Sequence, residues 1–65
     1  MFKERLKKMR EHKELSQTEL ANKVGLSQSL IAGFELGTRK PSGDAIIAIA
    51  DVLDCTTDYL LGRTN

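Results

Sequence analysis

The run SQTELANKVGLSQSLIAGFEL, Ser16 to Leu36, decides how the chain folds. Ser16 and Glu19 have the S-x-x-E spacing of a capping box, in which the hydroxyl takes an orphan amide and the carboxylate reaches back. Leu20, Ala21 and Val24 then recur at helical spacing and give one apolar face. Gly25 stands where a helix stops, because glycine enters the left-handed region at little cost. Leu26 follows as an apolar plug, and Ser27 is a second N-cap. Leu30, Ile31 and Phe34 supply the buried stripe of the next helix, which Gly37 closes.

Two short helices joined at a steep angle by a tight glycine-containing turn describe a helix-turn-helix, here at about 17–36. The small Ala21 lies where the second helix must cross closely. Ile31 and Phe34 are spaced to face back onto the first. Gln28, Ser29 and Ala32 are left outward, polar or small, as suits a helix that lies in a groove.

Outside the motif, Phe2, Leu6 and Met9 mark one face of a first helix from about Phe2 to Lys13. His12 to Leu15 connect it to the motif, with Leu15 a staple-like residue before the Ser16 cap. Thr38-Arg39-Lys40-Pro41 is a polar, basic loop. Ser42 caps a fourth helix running to about Leu53, apolar over a wide arc through Ile46, Ile47, Ile49, Ala50 and Leu53. Asp54 to Thr56 turn, Thr56 caps a last short helix from Thr57 to Leu61, Gly62 ends it, and Arg63 to Asn65 reads as a frayed tail. The expectation is one all-α domain spanning 1–65, a compact bundle of five helices.

Sixty-five residues lie near the lower size at which a core stands without disulfides or metal. A lone Cys55 excludes an internal disulfide, and no Cys/His cluster has zinc spacing, so neither a cofactor nor a metal is expected. Cys55 itself suits a small buried slot. No apolar run approaches a membrane span and no signal peptide opens the chain, so a cytoplasmic, membrane-free protein is expected. Net charge is only +1, but residues 1–13 carry six Lys/Arg against two Glu, whereas residues 42–65 carry Arg63 against four Asp. Such asymmetry lets one surface attract phosphate while another avoids it. No paired catalytic carboxylates, nucleophile–base pair or phosphate-cradling loop is present, which argues against an enzyme.

With these residues in view, the chain resembles the phage-repressor-like, or Xre-type, helix-turn-helix regulators. The resemblance rests on LSQTELA (Leu15 to Ala21), VGLS (Val24 to Ser27), IAGFELG (Ile31 to Gly37), RKPS (Arg39 to Ser42) and DYLLG (Asp58 to Gly62), in order and without a gap. It implies the lambda-repressor-like fold, with the motif formed by helices 2 and 3, and a regulator that binds double-stranded operator DNA. It also implies that Arg10 pairs with Glu35. Gly33 departs from the family pattern, which carries a longer polar residue there. Glycine at that place either permits close backbone approach to DNA or marks a position where little is read.

Two kinds of DNA contact are expected. Phosphates, which fix position and supply salt-dependent affinity, fall to Gln17 at a helix amino end, to Arg39 and Lys40, and to Arg10. Bases fall to the start of the recognition helix, Ser27, Gln28, Ser29 and Ala32, with Gly33 doubtful. Gln28 is the strongest, since its amide matches adenine N6 and N7. One short helix reads few base pairs, so a repressor acting as a homodimer on a palindrome is expected, with Tyr59, Leu60 and Leu61 as interface candidates. The chain reads as a complete small regulator or as the head of a longer one. A protein-interaction module of the same fold, an antitoxin or the head of a sensor protein with weak or no specific DNA binding, is the alternative; the Gln17/Gln28 pairing and the Arg39-Lys40 loop favour DNA.

Overall fold

In the computed structural model, which describes residues 1–63, five helices follow in the order α1 (Phe2–His12), α2 (Gln17–Val24), α3 (Gln28–Leu36), α4 (Gly43–Leu53) and α5 (Thr57–Leu60). Four of them start on a hydroxyl. The side chains of Ser16, Ser27, Ser42 and Thr56 each accept a hydrogen bond from the amide three residues on, which satisfies a donor the helix itself cannot. At Ser16 the capping box is complete, with Ser16 N donating to Glu19 Oε1 at 2.8 Å and Glu19 N donating to Ser16 Oγ at 3.0 Å.

Helix ends are sharper than the glycine pattern alone indicates. Gly25 and Gly37 take left-handed φ of 75° and 83° as expected. Glu14 and Asp54 do the same, at φ 58° and 55°, with no glycine to ease it. After Glu14, the amide of Leu15 returns to the carbonyl of Arg10 at 3.1 Å. After Asp54, the amide of Cys55 returns to Ala50 at 3.0 Å. These bonds close the two ends in the manner of a Schellman turn.

The core draws on all five helices: Leu6 from α1, Leu20 and Ala21 from α2, Ile31 and Phe34 from α3, Ile49, Ala50 and Leu53 from α4, and Leu60 from α5. Leu6, Leu20, Ile31, Ile49, Leu53 and Leu60 are wholly buried. Truncating any of them to alanine should cost about 2–5 kcal/mol, a large part of what a domain of this size has. The small Ala21, 2 % exposed, lets α3 cross α2 closely, and Phe2 meets Phe34 edge-on with ring centroids 6.3 Å apart.

Three expectations change here. Leu60 is a core residue and cannot form a dimer surface; of the three interface candidates only Leu61, just past the end of α5, is exposed, at 39 %. Tyr59 is half-buried, with the Arg5 guanidinium 4.5 Å above its ring. Ile47, placed in the apolar arc of α4, is 54 % exposed because the core takes Ile49, Ala50 and Leu53. Residues 64 and 65 of the expected tail lie outside the described residues. Among the described residues no helix is long and apolar enough to cross a membrane, and no group of three or more metal-binding side chains gathers.

Candidate nucleic-acid interface

The crossing of α2 and α3 brings together side chains far apart in sequence. Arg10 of α1 reaches the end of α3, where its Nε donates to Glu35 Oε2 at 2.6 Å and its Nη2 to Glu35 Oε1 at 3.0 Å. Its Nη1 donates to the carbonyl of Leu15 at 2.7 Å. The pair is nearly dry, with side-chain exposures of 11 % and 4 %. The hydrogen bonds that Arg10 donates to Glu35 raise its pKa further above its already high value. A two-pronged guanidinium–carboxylate pair of this kind fixes geometry as well as adding energy.

The pair continues toward the surface. Gln17 Nε2 donates to the same Glu35 Oε1 at 3.1 Å, and Gln28 Nε2 donates to Gln17 Oε1 at 2.7 Å. A buried ion pair thus holds one amide, and that amide holds the next. Because Gln17 Oε1 can only accept, the orientation of the Gln28 amide is determined. One N–H of Gln28 is used, leaving its carbonyl oxygen and second N–H for a ligand. Gln28 is exposed at the amino end of α3.

The other expected residues separate. Ser29 is exposed and Ala32 half-buried on the same outer face. Ser27 Oγ accepts from Leu30 N at 3.1 Å, so its hydroxyl retains mainly its donor role. Arg10 is 9 % exposed and ties three hydrogen bonds inside the fold, which makes it a support for Glu35 and Gln17 rather than a phosphate contact. Gly33 offers no side chain of its own and is covered by the loop that follows α3. It is buried, and a Cβ built on it would lie 2.5 Å from Arg39 Cγ and 3.1 Å from Arg39 Cβ.

After α3 the chain folds over that glycine. The carbonyl of Gly33 accepts from the amides of Gly37, Thr38 and Arg39 at 2.9, 3.0 and 3.2 Å. Arg39 and Lys40 are exposed, and among the described residues no carboxylate pairs with either. The Lys3 side chain packs beside Gly37, its Nζ 3.5 Å from where a Cβ would stand, near the negative end of the α3 dipole. Spacing made the Arg39-Lys40 loop visible in sequence; that Arg39 lies down on Gly33 has no signal in a single chain.

Residues 6–60 match the helix-turn-helix family HTH_3. A similar protein is the HTH-type transcriptional regulator YqaE of Bacillus subtilis strain 168, 42 % identical over 66 residues, spanning 100 % of this chain and 57 % of the relative. AnsR of the same organism, also an HTH-type transcriptional regulator, is 42 % identical over 60 residues, which is 92 % of this chain and 52 % of that one. The chain thus spans a little over half the length of these relatives. Among solved structures, the P22 c2 repressor bound to a synthetic operator superposes with a TM-score of 0.93 at 30 % identity, over 98 % of this chain and 97 % of that one. The controller protein C.AhdI of Aeromonas hydrophila superposes at 0.87 with 39 % identity, over 91 % and 89 %. A shared sequence pattern, a shared fold and a shared order of helices lead to one conclusion: the chain belongs to the helix-turn-helix family, among its phage-repressor-like members.

Proposed function

We propose that this chain is a sequence-specific double-stranded DNA-binding regulator, a repressor that lays α3 in the major groove. The observation that carries the reading is the run of bonds Arg10–Glu35–Gln17–Gln28. It spends a buried ion pair on holding one exposed amide, an arrangement a mere bundle does not need. The free oxygen and N–H of Gln28 match adenine N6 and N7, as a two-point contact requires. Ser29 and Ala32 extend the reading surface, the latter toward a thymine methyl. The P22 c2 repressor, similar over almost the whole chain and solved in complex with a synthetic operator, supports operator binding.

Phosphates are met by the amino end of α2 at Gln17 and by Lys40 in the loop after α3. Binding is as a twofold dimer on a palindrome with half-sites about 34 Å apart, and the exposed Leu61, at the end of α5, is available for the contact. The protein acts in the cytoplasm, where its operator is. Selection of bound duplexes from a random pool, followed by a salt titration on the winner, tests the proposal. A palindrome with half-sites one helical turn apart is expected. Recovery of no motif would overturn the reading in favour of a protein-interaction module.

A further inference from the structure

Gly33 belongs to the same i, i+4 row of α3 as the exposed Ser29, yet it is buried. What covers it is the following loop. Arg39 Cγ and Cβ occupy the space a side chain at position 33 would fill, with Thr38 Oγ1 3.4 Å from the same point. The Gly33 carbonyl holds that loop through the Arg39 amide. The covering atoms are the root of the arginine, not its flexible end, so any side chain at 33 would push the loop away. Arg39 as a whole is exposed, and no carboxylate among the described residues pairs with its guanidinium.

We propose that Arg39 is a base reader carried in from the loop. Its stem takes the side-chain place that Gly33 leaves empty, and its guanidinium works beside Ser29 at the floor of the major groove rather than on a phosphate. This rests on the DNA-binding reading above. The chemistry of the group names its target: two parallel N–H donors fit guanine O6 and N7. The recognition helix thus presents an amide at its amino end and a guanidinium over its second turn. Glycine at 33, unfavourable in a helix by roughly 1 kcal/mol relative to alanine, is the condition that lets the guanidinium in.

The test is duplex selection from a random pool with the wild type, Arg39→Ala and Gly33→Ala, each checked by thermal melting. For Arg39→Ala the expected result is loss of preference for a guanine at one position of each half-site, roughly tenfold or more, with the other positions retained. Gly33→Ala should relax the same position, and the double variant should lose no more than either single, since both remove one contact. Should Arg39→Ala weaken all sequences equally and lower the salt slope by about one, Arg39 is a phosphate contact and the proposal is wrong. Unchanged preference with Arg39→Ala overturns it as well, even if Gly33→Ala fails to fold. A wild type that selects no motif overturns both this proposal and the DNA-binding reading; a wild-type motif that survives Arg39→Ala overturns this one alone.

Discussion

The two ends of α3 are prepared in opposite ways. At its start, side chains are added: Gln28 is held by Gln17, Gln17 by Glu35, and Glu35 by Arg10. Toward its end, a side chain is removed, and the void at Gly33 is filled by the stem of Arg39 from the loop. The first end is rigid through hydrogen bonds to a buried charge pair. The second is shaped by space, and by one carbonyl that accepts three amides. A surface meant to read another molecule can therefore be ordered either by building up or by leaving room.

Breaking the amino end at its root should have the largest effect. Arg10→Met leaves Glu35, 4 % exposed at its side chain, without its cation, and a loss of about 3–5 kcal/mol in urea unfolding is expected. A loss under about 1 kcal/mol would mean that the pair is incidental. Next comes Gln28→Ala, which should remove about 1–3 kcal/mol of discrimination at one adenine while the melting curve hardly moves. Gln17→Ala should reduce the same discrimination by about 1 kcal/mol, the net worth of one hydrogen bond. In a double-mutant cycle its effect should overlap with that of Gln28→Ala. Independent losses would make Gln17 a separate phosphate contact and detach it from the reading residue.

At the other end of α3, Lys40→Ala should weaken binding to every sequence alike and flatten the salt slope by about one. The smallest effect belongs to the capping box. The Ser16 amide and hydroxyl hold the exposed Glu19 carboxylate below its ordinary pKa. A depressed carboxylate stabilises the fold above its unfolded pKa and loses that contribution as pH falls through the folded one. Glu19→Gln should therefore lower stability slightly at neutral pH and leave it unchanged in acid, narrowing the difference between the two.

How much of this was legible in the sequence follows from the same contrast. Caps are local chemistry, so Ser16, Ser27, Ser42 and Thr56 could be read directly, and all four accept the bond expected of them. Glu14 and Asp54 could not, because glycine is preferred in the left-handed region without being required there. In α5 the consecutive Tyr59, Leu60 and Leu61 gave no periodicity from which to choose the inward residue, and Leu60 proved to be the core. The Arg10–Glu35 pair came from the family resemblance, but the bond that joins it to Gln17 spans 18 positions and has no local pattern. Gly33 stood out only as a departure. What fills its place belongs to the loop, and a missing side chain does not announce its substitute.

DNA is expected to meet the outer face of α3 and the loop that follows it. The most direct measurement is an amide-resolved NMR titration of the labelled protein with its selected duplex, with the side-chain amides of Gln17 and Gln28 followed as separate signals. The largest shifts are expected at Ser27 to Ala32, at Arg39 and Lys40, and at both glutamine side chains. Shifts confined to α4 and α5, with the Gln28 side chain unmoved, would contradict this expectation.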